Sequence, residues 1–192
     1  MKKDDIHQHI IDTASTLFYT NGYNATGINE IIAKAGIAKA TLYSHFRSKE
    51  EICISYLRHK HLAFLTGLKK YIAGKTTSKS KLLGIFDFLR SMYREDDFCG
   101  CWAIKTLGEL PLKEKKVRNV IQQQKKELLL FLGEIVGDTI VNISKAETEK
   151  ISGGLYLLYE SAITESLLHK NDWPIHLAKS IAPSLFASSE LI

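Results

Sequence analysis

The side chains best suited to recognise another molecule are concentrated between Thr26 and Lys49. The second part of this stretch contains Lys34, Lys39, Arg47 and Lys49 and no acidic residue. Cations without nearby counter-charges attract the phosphate backbone of nucleic acid. A short helix that presents small and hydroxyl side chains can also enter the major groove of a duplex. The stretch therefore predicts a surface that contacts DNA.

Two short helices joined by a tight turn are expected to position these side chains. The first is expected to begin at Thr26, whose hydroxyl could act as its N-cap. It is expected to end at Gly36, because glycine tolerates the left-handed backbone of a helix C-terminus. The second helix spans about residues 39–46 and turns Leu42 and Phe46 inward at i and i+4. This pattern is a helix-turn-helix.

The helix-turn-helix resembles the N-terminal DNA-binding domain of TetR-type transcriptional regulators. The resemblance is strong over residues 6–55 and looser beyond them. Two positions depart from the family pattern, since Ala38 stands where a capping Ser or Thr is usual and Ala40 where Gly is frequent. The loss of a capping side chain weakens the start of a helix by about 1 kcal/mol. The segments that carry the resemblance are Phe18–Thr26, Gly36–Phe46 and Arg47–Ile52.

Each side chain of the second helix has a distinct expected role at the DNA. Lys39 is long enough to reach a guanine edge or a phosphate. Tyr43 and His45 resemble the pair that clamps phosphate in the family, and Thr41 and Ser44 can donate to a phosphate or a base edge. Thr26 and Lys49 are expected to flank the groove. The complete set of expected DNA-contacting residues is Thr26, Lys39, Thr41, Tyr43, Ser44, His45 and Lys49.

The composition is that of a water-soluble helical protein. Of 192 residues, 45% are hydrophobic, 24% are charged and only 3 are proline. No apolar run is long enough to span a membrane, and the N-terminus lacks the pattern of a signal peptide. A cytoplasmic location is therefore expected. The net charge of +5 is weighted toward the first half of the chain, as contact with nucleic acid there requires.

The fold class is predicted to be all-α, with about nine helices in two domains. Residues 1–48 are expected to form the helix-turn-helix DNA-binding domain, and residues 49–192 a helical effector-binding and dimerisation domain. Pro183 should end the last helix at or before Ala182, and residues 188–192 should fray. The helices are expected at about residues 5–20, 26–36, 39–46, 48–73, 81–94, 113–137, 144–169 and from 173 onward, and residues 98–111 are expected to form a tight turn and a short helix that ends at Pro111.

The helix at residues 144–169 has more apolar surface than a single buried stripe requires. A helix that is apolar on two faces lies either in the centre of a core or in an interface. The resemblance implies that the last two helices pair with those of a second copy, so that a homodimer presents two recognition helices to a palindromic duplex. The expected interface residues are Leu155, Leu158, Tyr159, Ala162, Leu177 and Ile181.

The second domain is expected to bind a small-molecule effector that releases DNA. An aromatic, weakly charged pocket would suit a hydrophobic or aromatic compound, although each candidate could equally be an ordinary core residue. The candidate pocket residues are Phe64, Phe86, Trp102, Tyr156 and Tyr159.

Two alternatives to this interpretation remain open. Oxidation of Cys99 or Cys101 could serve as the signal in place of a ligand, or the basic face could bind an acidic protein and no DNA. The sequence contains no motif of a catalytic or cofactor site, so neither an enzyme nor a cofactor is expected. His7 with His9 and His59 with His61 are each two apart on expected helices and point away from one another, so no metal site is predicted.

Overall fold

The computed structural model describes residues 3–111 and 113–192. Within these ranges the secondary structure consists of ten α-helices, one 3₁₀ helix and a single isolated β-bridge. The predicted all-α fold is confirmed. The α-helices are α1 (Lys3–Asn21), α2 (Ile28–Ala35), α3 (Lys39–His45), α4 (Lys49–Ala73), α5 (Ser78–Leu82), α6 (Gly84–Tyr93), α7 (Trp102–Glu109), α8 (Lys115–Thr139), α9 (Lys145–His169) and α10 (Trp173–Ile181), and the 3₁₀ helix is Ala182–Phe186.

The chain forms two compact units, and each is built from two separate segments. Unit 1 comprises the residues up to Ala63 together with Cys101–Gln123, and unit 2 comprises Phe64–Gly100 and Gln124–Ile192. The sequence analysis divides the chain by function at residue 48, whereas these two units are defined by packing. The functional division stays a prediction.

Unit 1 has its own hydrophobic core, to which α1 contributes a stripe at helical spacing. Ile10, Ala14 and Phe18 are all at most 2% exposed. The Phe18 ring lies 5.5 Å from that of Tyr56 on α4, which is also buried. Burial of each such large side chain stabilises the fold by about 1.5–3 kcal/mol. The N-terminal helix is thus the inner support of the unit.

Unit 2 has a second core, formed by the ends of α4 and α8 that belong to this unit together with α5, α6, α9 and α10. Polar contacts also join α6 to α10, because Arg90 Nε donates to Asp172 Oδ2 at 3.1 Å and Lys179 pairs with Asp87. The largest contributors to the core are Leu68, Leu82, Ile85, Phe86, Leu89, Leu128, Leu132, Leu155, Tyr159, Ile163 and Ile175.

Several helix ends lie where the sequence predicts them. α9 begins with a capping box in which Ser144 Oγ accepts from the Glu147 amide at 3.3 Å. The last α-helix ends at Ile181, and the residues from Ala182 adopt 3₁₀ geometry because Pro183 cannot continue the α-helical hydrogen bonding.

The helix predicted at residues 81–94 is instead two helices that meet at Leu83. Thr77 caps the first helix, which therefore begins earlier than predicted, and its hydroxyl accepts from the Ser80 amide. Gly84 starts the second helix and lies close to α4 in the same unit. A Cβ on Gly84 would be 3.0 Å from Ile72 Cγ1, which is a tight contact. The change of helix direction thus permits a close approach that an apolar pattern does not reveal.

The expected fraying of residues 188–192 is wrong. The Val141 amide donates to Glu190 O at 2.9 Å, and the Ile192 amide donates to Thr139 O at 3.0 Å. Ile140 and Leu191 form the isolated antiparallel bridge. Backbone hydrogen bonds therefore hold this segment against the end of α8. No side-chain pattern in the sequence indicates these bonds.

Part of the expected interface also requires correction. Leu155, Tyr159 and Ala162 are only 1–2% exposed and belong to the core of unit 2. Their side chains are already covered by their own chain, so they have no surface to offer a second copy. Leu158 is half-buried, whereas Leu177 and Ile181 are 49% and 44% exposed. Only these last three remain candidates.

None of the helices in residues 3–111 and 113–192 combines the length and the apolar character that crossing a bilayer requires.

The contact between Arg90 and Asp172 makes a testable prediction about pH. The hydrogen bond from Arg90, with a smaller contribution from His176, lowers the pKa of the Asp172 carboxyl below its usual 3.8. A carboxyl whose pKa is lower in the folded state stabilises the protein above pH 3.8, and this contribution disappears as the pH falls through the folded value. Asp172→Asn should lower the thermal midpoint at pH 6–7 by no more than about 2–4 °C, since partly exposed ion pairs contribute little.

Thermal unfolding monitored by circular dichroism between pH 3 and pH 7 measures this effect. The difference between wild type and variant should shrink as the pH falls below 3.8, and the exposed Asp97→Asn serves as control. A difference that is constant across this range would contradict the assigned ion pair.

Candidate nucleic-acid interface

The corner between α2 and α3 is fixed by Gly36. Its φ of 64° lies in the left-handed region, and its amide donates to Ala33 O at 3.2 Å. The next amide, that of Ile37, donates to Ile32 O at 3.3 Å. These paired bonds satisfy carbonyls at the end of α2 and turn the chain sharply into α3. The predicted turn at Gly36 is confirmed.

α3 is held by two buried side chains. Leu42 is 0% exposed and Phe46, at the C-cap, is 1% exposed. Its N-cap is Ala38, which offers no side-chain hydrogen bond, as the sequence indicates. With a weak start and only seven residues, α3 depends on this packing for its stability.

The opposite face of α3 is open to solvent. Lys39 and Ser44 are exposed, Tyr43 is 44% exposed, and Thr41 and His45 are half-buried. Ser44 Oγ donates to Thr41 O at 2.7 Å, so in this arrangement the hydroxyl keeps an acceptor lone pair for an incoming donor. The structure thus brings five of the seven expected DNA-contacting residues together on one short helix.

Thr26 does not belong to this face. It is 0% exposed, and its hydroxyl donates to Gly22 O at 2.8 Å and to Leu17 O at 3.2 Å. The N-cap of α2 is Gly27, whose amide donates to Glu30 Oε2 at 3.3 Å. The prediction that Thr26 caps α2 is therefore wrong, and its side chain is too deeply buried to reach DNA.

Lys49 is turned toward its own unit rather than toward the face of α3. Its ammonium lies 4.4 Å from the centre of the Tyr23 ring, and partial burial lowers the pKa of Lys49. Burial also raises the pKa of the Tyr23 hydroxyl to about 12. The expected phosphate contact by Lys49 stays a prediction, and it requires the side chain to leave this ring.

His7 on α1 is a neighbour of α3 that the sequence analysis did not assign. Its ring stacks on Phe46 with centroids 4.5 Å apart and lies 5.8 Å from the ring of His45. The helical spacing that His7 shares with Ile11, Ala14 and Phe18 could have placed it on the inner face of α1. His7 therefore supports the C-terminal end of α3 from below.

A second contact, here named the Lys105–Glu109 clamp, fastens α7 to the turn between α1 and α2 within unit 1. Lys105 Nζ donates to the carbonyls of Tyr19 and Thr20 at 2.7 and 3.0 Å. A cation at the C-terminus of a helix complements the helix dipole. The clamp thus closes the last turn of α1 with a positive charge.

Glu109 completes the clamp on the following turn. Its Oε2 accepts from the Asn24 amide at 2.6 Å, and its backbone carbonyl accepts from Asn24 Nδ2 at 2.9 Å. Gly22, with φ of 96°, leaves room for the carboxylate, because a Cβ there would be 2.4 Å from Glu109 Oε1. The fit therefore depends on the absence of a side chain at residue 22.

The candidate pocket residues are divided between the two units. Phe64, Phe86 and Tyr159 are buried in unit 2, where the rings of Phe64 and Tyr159 are 6.1 Å apart, and Tyr156 is half-buried. Trp102 belongs to unit 1.

The cysteines differ in their surroundings. Burial raises the pKa of the Cys53 thiol to about 12, so it stays protonated near neutral pH. Cys101 is buried at the N-cap of α7, and Cys99 is half-buried. Across the part of the chain that the structure describes, no three His, Cys, Asp or Glu side chains are grouped as a metal site would require.

Comparison with known proteins agrees with this geometry. The family model described as "Bacterial regulatory proteins, tetR family" matches residues 10–55, which include all of α2 and α3. The "Fatty acid metabolism regulator protein" of Bacillus subtilis is 31% identical over 134 residues, which cover 70% of this chain and 68% of that protein. The regulator LmrA of the same species is 27% identical over 96% of this chain and 98% of its own length.

A solved structure supports the fold over nearly the whole chain. SCO4454 from Streptomyces coelicolor, a TetR-family transcriptional regulator, superposes with a TM-score of 0.85 and covers 96% of each chain. At 17% identity this similarity concerns the fold alone.

The two exposed side chains of α3 should have separable effects on DNA binding. Tyr43→Ala should weaken binding to every duplex by about the same factor, roughly tenfold, because phosphate contacts set the register and not the sequence. Lys39→Ala should change the preferred sequence, because Lys39 is the residue expected to contact base edges.

Binding-site selection from a random duplex library, followed by titration of the selected and an unrelated duplex, measures both effects. Lys70→Ala on the exposed side of α4 is the control for loss of one positive charge. If Lys39→Ala selected the same motif as wild type, the assignment of Lys39 to base reading would be wrong.

Proposed function

Because this chain belongs to the TetR family of bacterial regulatory proteins, we propose that it is a repressor that binds a palindromic operator as a homodimer and is released by a small-molecule effector. The family consists of DNA-binding transcriptional regulators, not enzymes. The observation that carries the proposal is the solvent-exposed face of α3, which is held outward by Gly36 and by the burial of Leu42 and Phe46.

The charge on this part of unit 1 supports contact with a duplex. Lys34, Lys39 and Arg47 are all exposed, and no acidic residue lies between Lys34 and Lys49. Each phosphate that these cations neutralise releases counterions, so the affinity should fall steeply as salt rises. Steep salt dependence would indicate that contacts to phosphates contribute to DNA binding, in addition to contacts with base edges.

An exposed apolar surface on α9 and α10 supports homodimerisation. On α9, Leu157 and Leu168 are 67% and 69% exposed and share one helix face with the small residues Ser161 and Thr164. Exposed large apolar side chains favour association. On α10 the exposed apolar residues are Trp173, Leu177 and Ile181.

Dimerisation is functionally necessary for this mode of binding. One seven-residue helix contacts few base pairs, whereas a two-fold dimer presents two such helices about 34–36 Å apart, or at a multiple of that distance. Linking two weak sites in this way increases the overall affinity by roughly 10²–10⁴.

We propose that the effector binds in unit 2 and that the chain itself transmits the signal. The chain passes between the units at residues 63–64, 100–101 and 123–124, and α4 and α8 run through two of these points without interruption. An effector can release DNA only if it binds the DNA-competent and DNA-incompetent states with different affinity. An unbroken helix converts such a difference into a displacement of its far end.

The two alternatives to this function, a basic protein-binding module and a redox signal, have different outcomes. Membership of a family of DNA-binding regulators argues against a basic module that binds only protein. Oxidation of Cys99 or Cys101 stays a prediction. Cys53 was not part of that prediction, and its thiol is buried and protonated.

The proposal makes a direct prediction about the dimer. The double substitution Leu177→Glu, Ile181→Glu should give a folded monomer whose affinity for the selected palindrome is at least about a hundredfold lower. Light scattering measures the mass, and fluorescence anisotropy at several salt concentrations measures the affinity and its salt slope. Leu130→Glu, at a residue that is 56% exposed on α8, is the control.

Two results would contradict parts of this proposal. A wild-type protein that bound no duplex, or bound with no salt dependence, would exclude the regulator. A double variant that stayed dimeric would place the interface elsewhere.

The Lys105–Glu109 clamp provides a further prediction. Lys105→Met with Glu109→Gln should lower operator affinity by about tenfold, because charge-assisted hydrogen bonds to the turn between α1 and α2 are lost. The dimer mass should not change. Lys126→Met with Glu134→Gln, two exposed residues of α8, removes the same charges elsewhere. Operator affinity equal to that of the control would show that the clamp does not position the DNA-binding helices.

A further inference from the structure

The side chain of Gln124 on α8 is buried without a hydrogen-bond partner. It is 6% exposed, and neither Nε2 nor Oε1 has a partner among the described residues. Buried polar groups in folded proteins are almost always paired, and an unpaired one destabilises the fold. Here the donor and the acceptor of one amide both lack a partner among the described residues, so both are available to another molecule.

The residue that follows Gln124 in unit 2 forms an ion pair. Lys125 Nζ donates to both carboxylate oxygens of Glu160, at 2.6 and 2.8 Å, and this ion pair links α8 to α9. Tyr159 precedes Glu160, and its ring lies 6.1 Å from that of Phe64. Phe64 in turn lies 5.8 Å from Phe88. Phe64, Phe88 and Tyr159 therefore form an aromatic cluster in unit 2, the unit to which Gln124 also belongs.

The charges near Gln124 cancel one another. Lys125 and Glu160 are each 17% exposed and form a bidentate pair, so neither charge is left to attract an ion. An ionic ligand would therefore find no free counter-charge in this pair, and burying a charge without a partner is costly. The site therefore favours an uncharged molecule.

A second unpaired polar atom lies on the same face of α9 as Tyr159. Ser166 is seven residues further along, is 0% exposed, and its Oγ has no partner among the described residues. Seven residues correspond to about two turns, so the two side chains share one helix face. Ser166 and Gln124 together make unit 2 polar at two buried points among apolar residues.

We propose that the Gln124 amide is the polar anchor of an effector site, and that the effector is an uncharged aromatic molecule with adjacent hydrogen-bond donor and acceptor, as in a lactam or carboxamide. Such a group forms two parallel hydrogen bonds with a glutamine amide, and its flat apolar remainder suits the aromatic cluster of Phe64, Phe88 and Tyr159. The inference rests on the proposed effector-responsive function and specifies its ligand class.

The first test requires no ligand. Gln124→Met keeps a side chain of similar length and removes both unpaired atoms, so the thermal midpoint should stay unchanged or rise relative to Gln122→Met, the exposed control on the same helix. A midpoint lower than that of the control by more than about 2–4 °C would show that the protein itself satisfies the amide, and this would overturn the proposal.

The second test uses three related compounds at millimolar concentration. 2-Quinolone carries an adjacent donor and acceptor, 2-methoxyquinoline lacks the donor, and quinoline-2-carboxylate is charged. 2-Quinolone should raise the thermal midpoint of wild type and of Gln122→Met but not of Gln124→Met, and the other two compounds should raise none. No shift of wild type with 2-quinolone, or an equal shift of wild type and Gln124→Met, would overturn the proposal.

A DNA-binding measurement separates this inference from the proposed function. Without ligand, wild type and Gln124→Met should bind the selected duplex equally, and 2-quinolone should weaken only the wild-type complex. Absence of salt-dependent DNA binding in both proteins would contradict the regulator, while the thermal shifts would still decide the role of Gln124. A thermal shift without any loss of DNA affinity would overturn the assignment of the site to the effector.

Discussion

The burial of Leu42 and Phe46 is the constraint on which the recognition surface depends. An isolated seven-residue helix is unstable in water, and α3 has no capping side chain at its start. Its geometry is therefore fixed by the packing of these two side chains and by the stack of His7 on Phe46. The polar face makes no contribution to this support and is left for binding. A rigid inner face and an unconstrained outer face are what a recognition helix needs.

Much of the fold follows from local chemistry that the sequence displays. Gly36 marks the corner, the Ser144–Glu147 box marks the start of α9, and Pro183 marks the end of α10, because each acts through its own backbone or an adjacent amide. The break at Leu83 and the pairing of residues 190–192 with the end of α8 were missed. Both depend on a distant segment, namely Ile72 and Thr139–Val141, which no local pattern specifies.

The residues of the candidate site were likewise predicted only in part. The outward residues of α3 could be identified from the inward spacing of Leu42 and Phe46, since one face determines the other. Thr26 was misassigned because a hydroxyl near a helix start can cap that helix or donate elsewhere, and only the fold shows that it donates to Gly22 and Leu17. The apolar excess of α9 was interpreted as two apolar faces, an inner one and one for an interface, and the interface stays a prediction. Which residues lie on the inner one could not be determined without the neighbouring helices.

The surroundings of Cys53 have a practical consequence for chemical labelling. A thiol reacts with maleimides and iodoacetamides as its thiolate, and burial keeps the pKa of this one at about 12 on a residue with no exposed surface. In the native state such reagents will not modify α4. A fluorophore or spin label attached to the unmodified chain will therefore report on the segment around the half-buried Cys99, close to the point where the chain passes from one unit to the other.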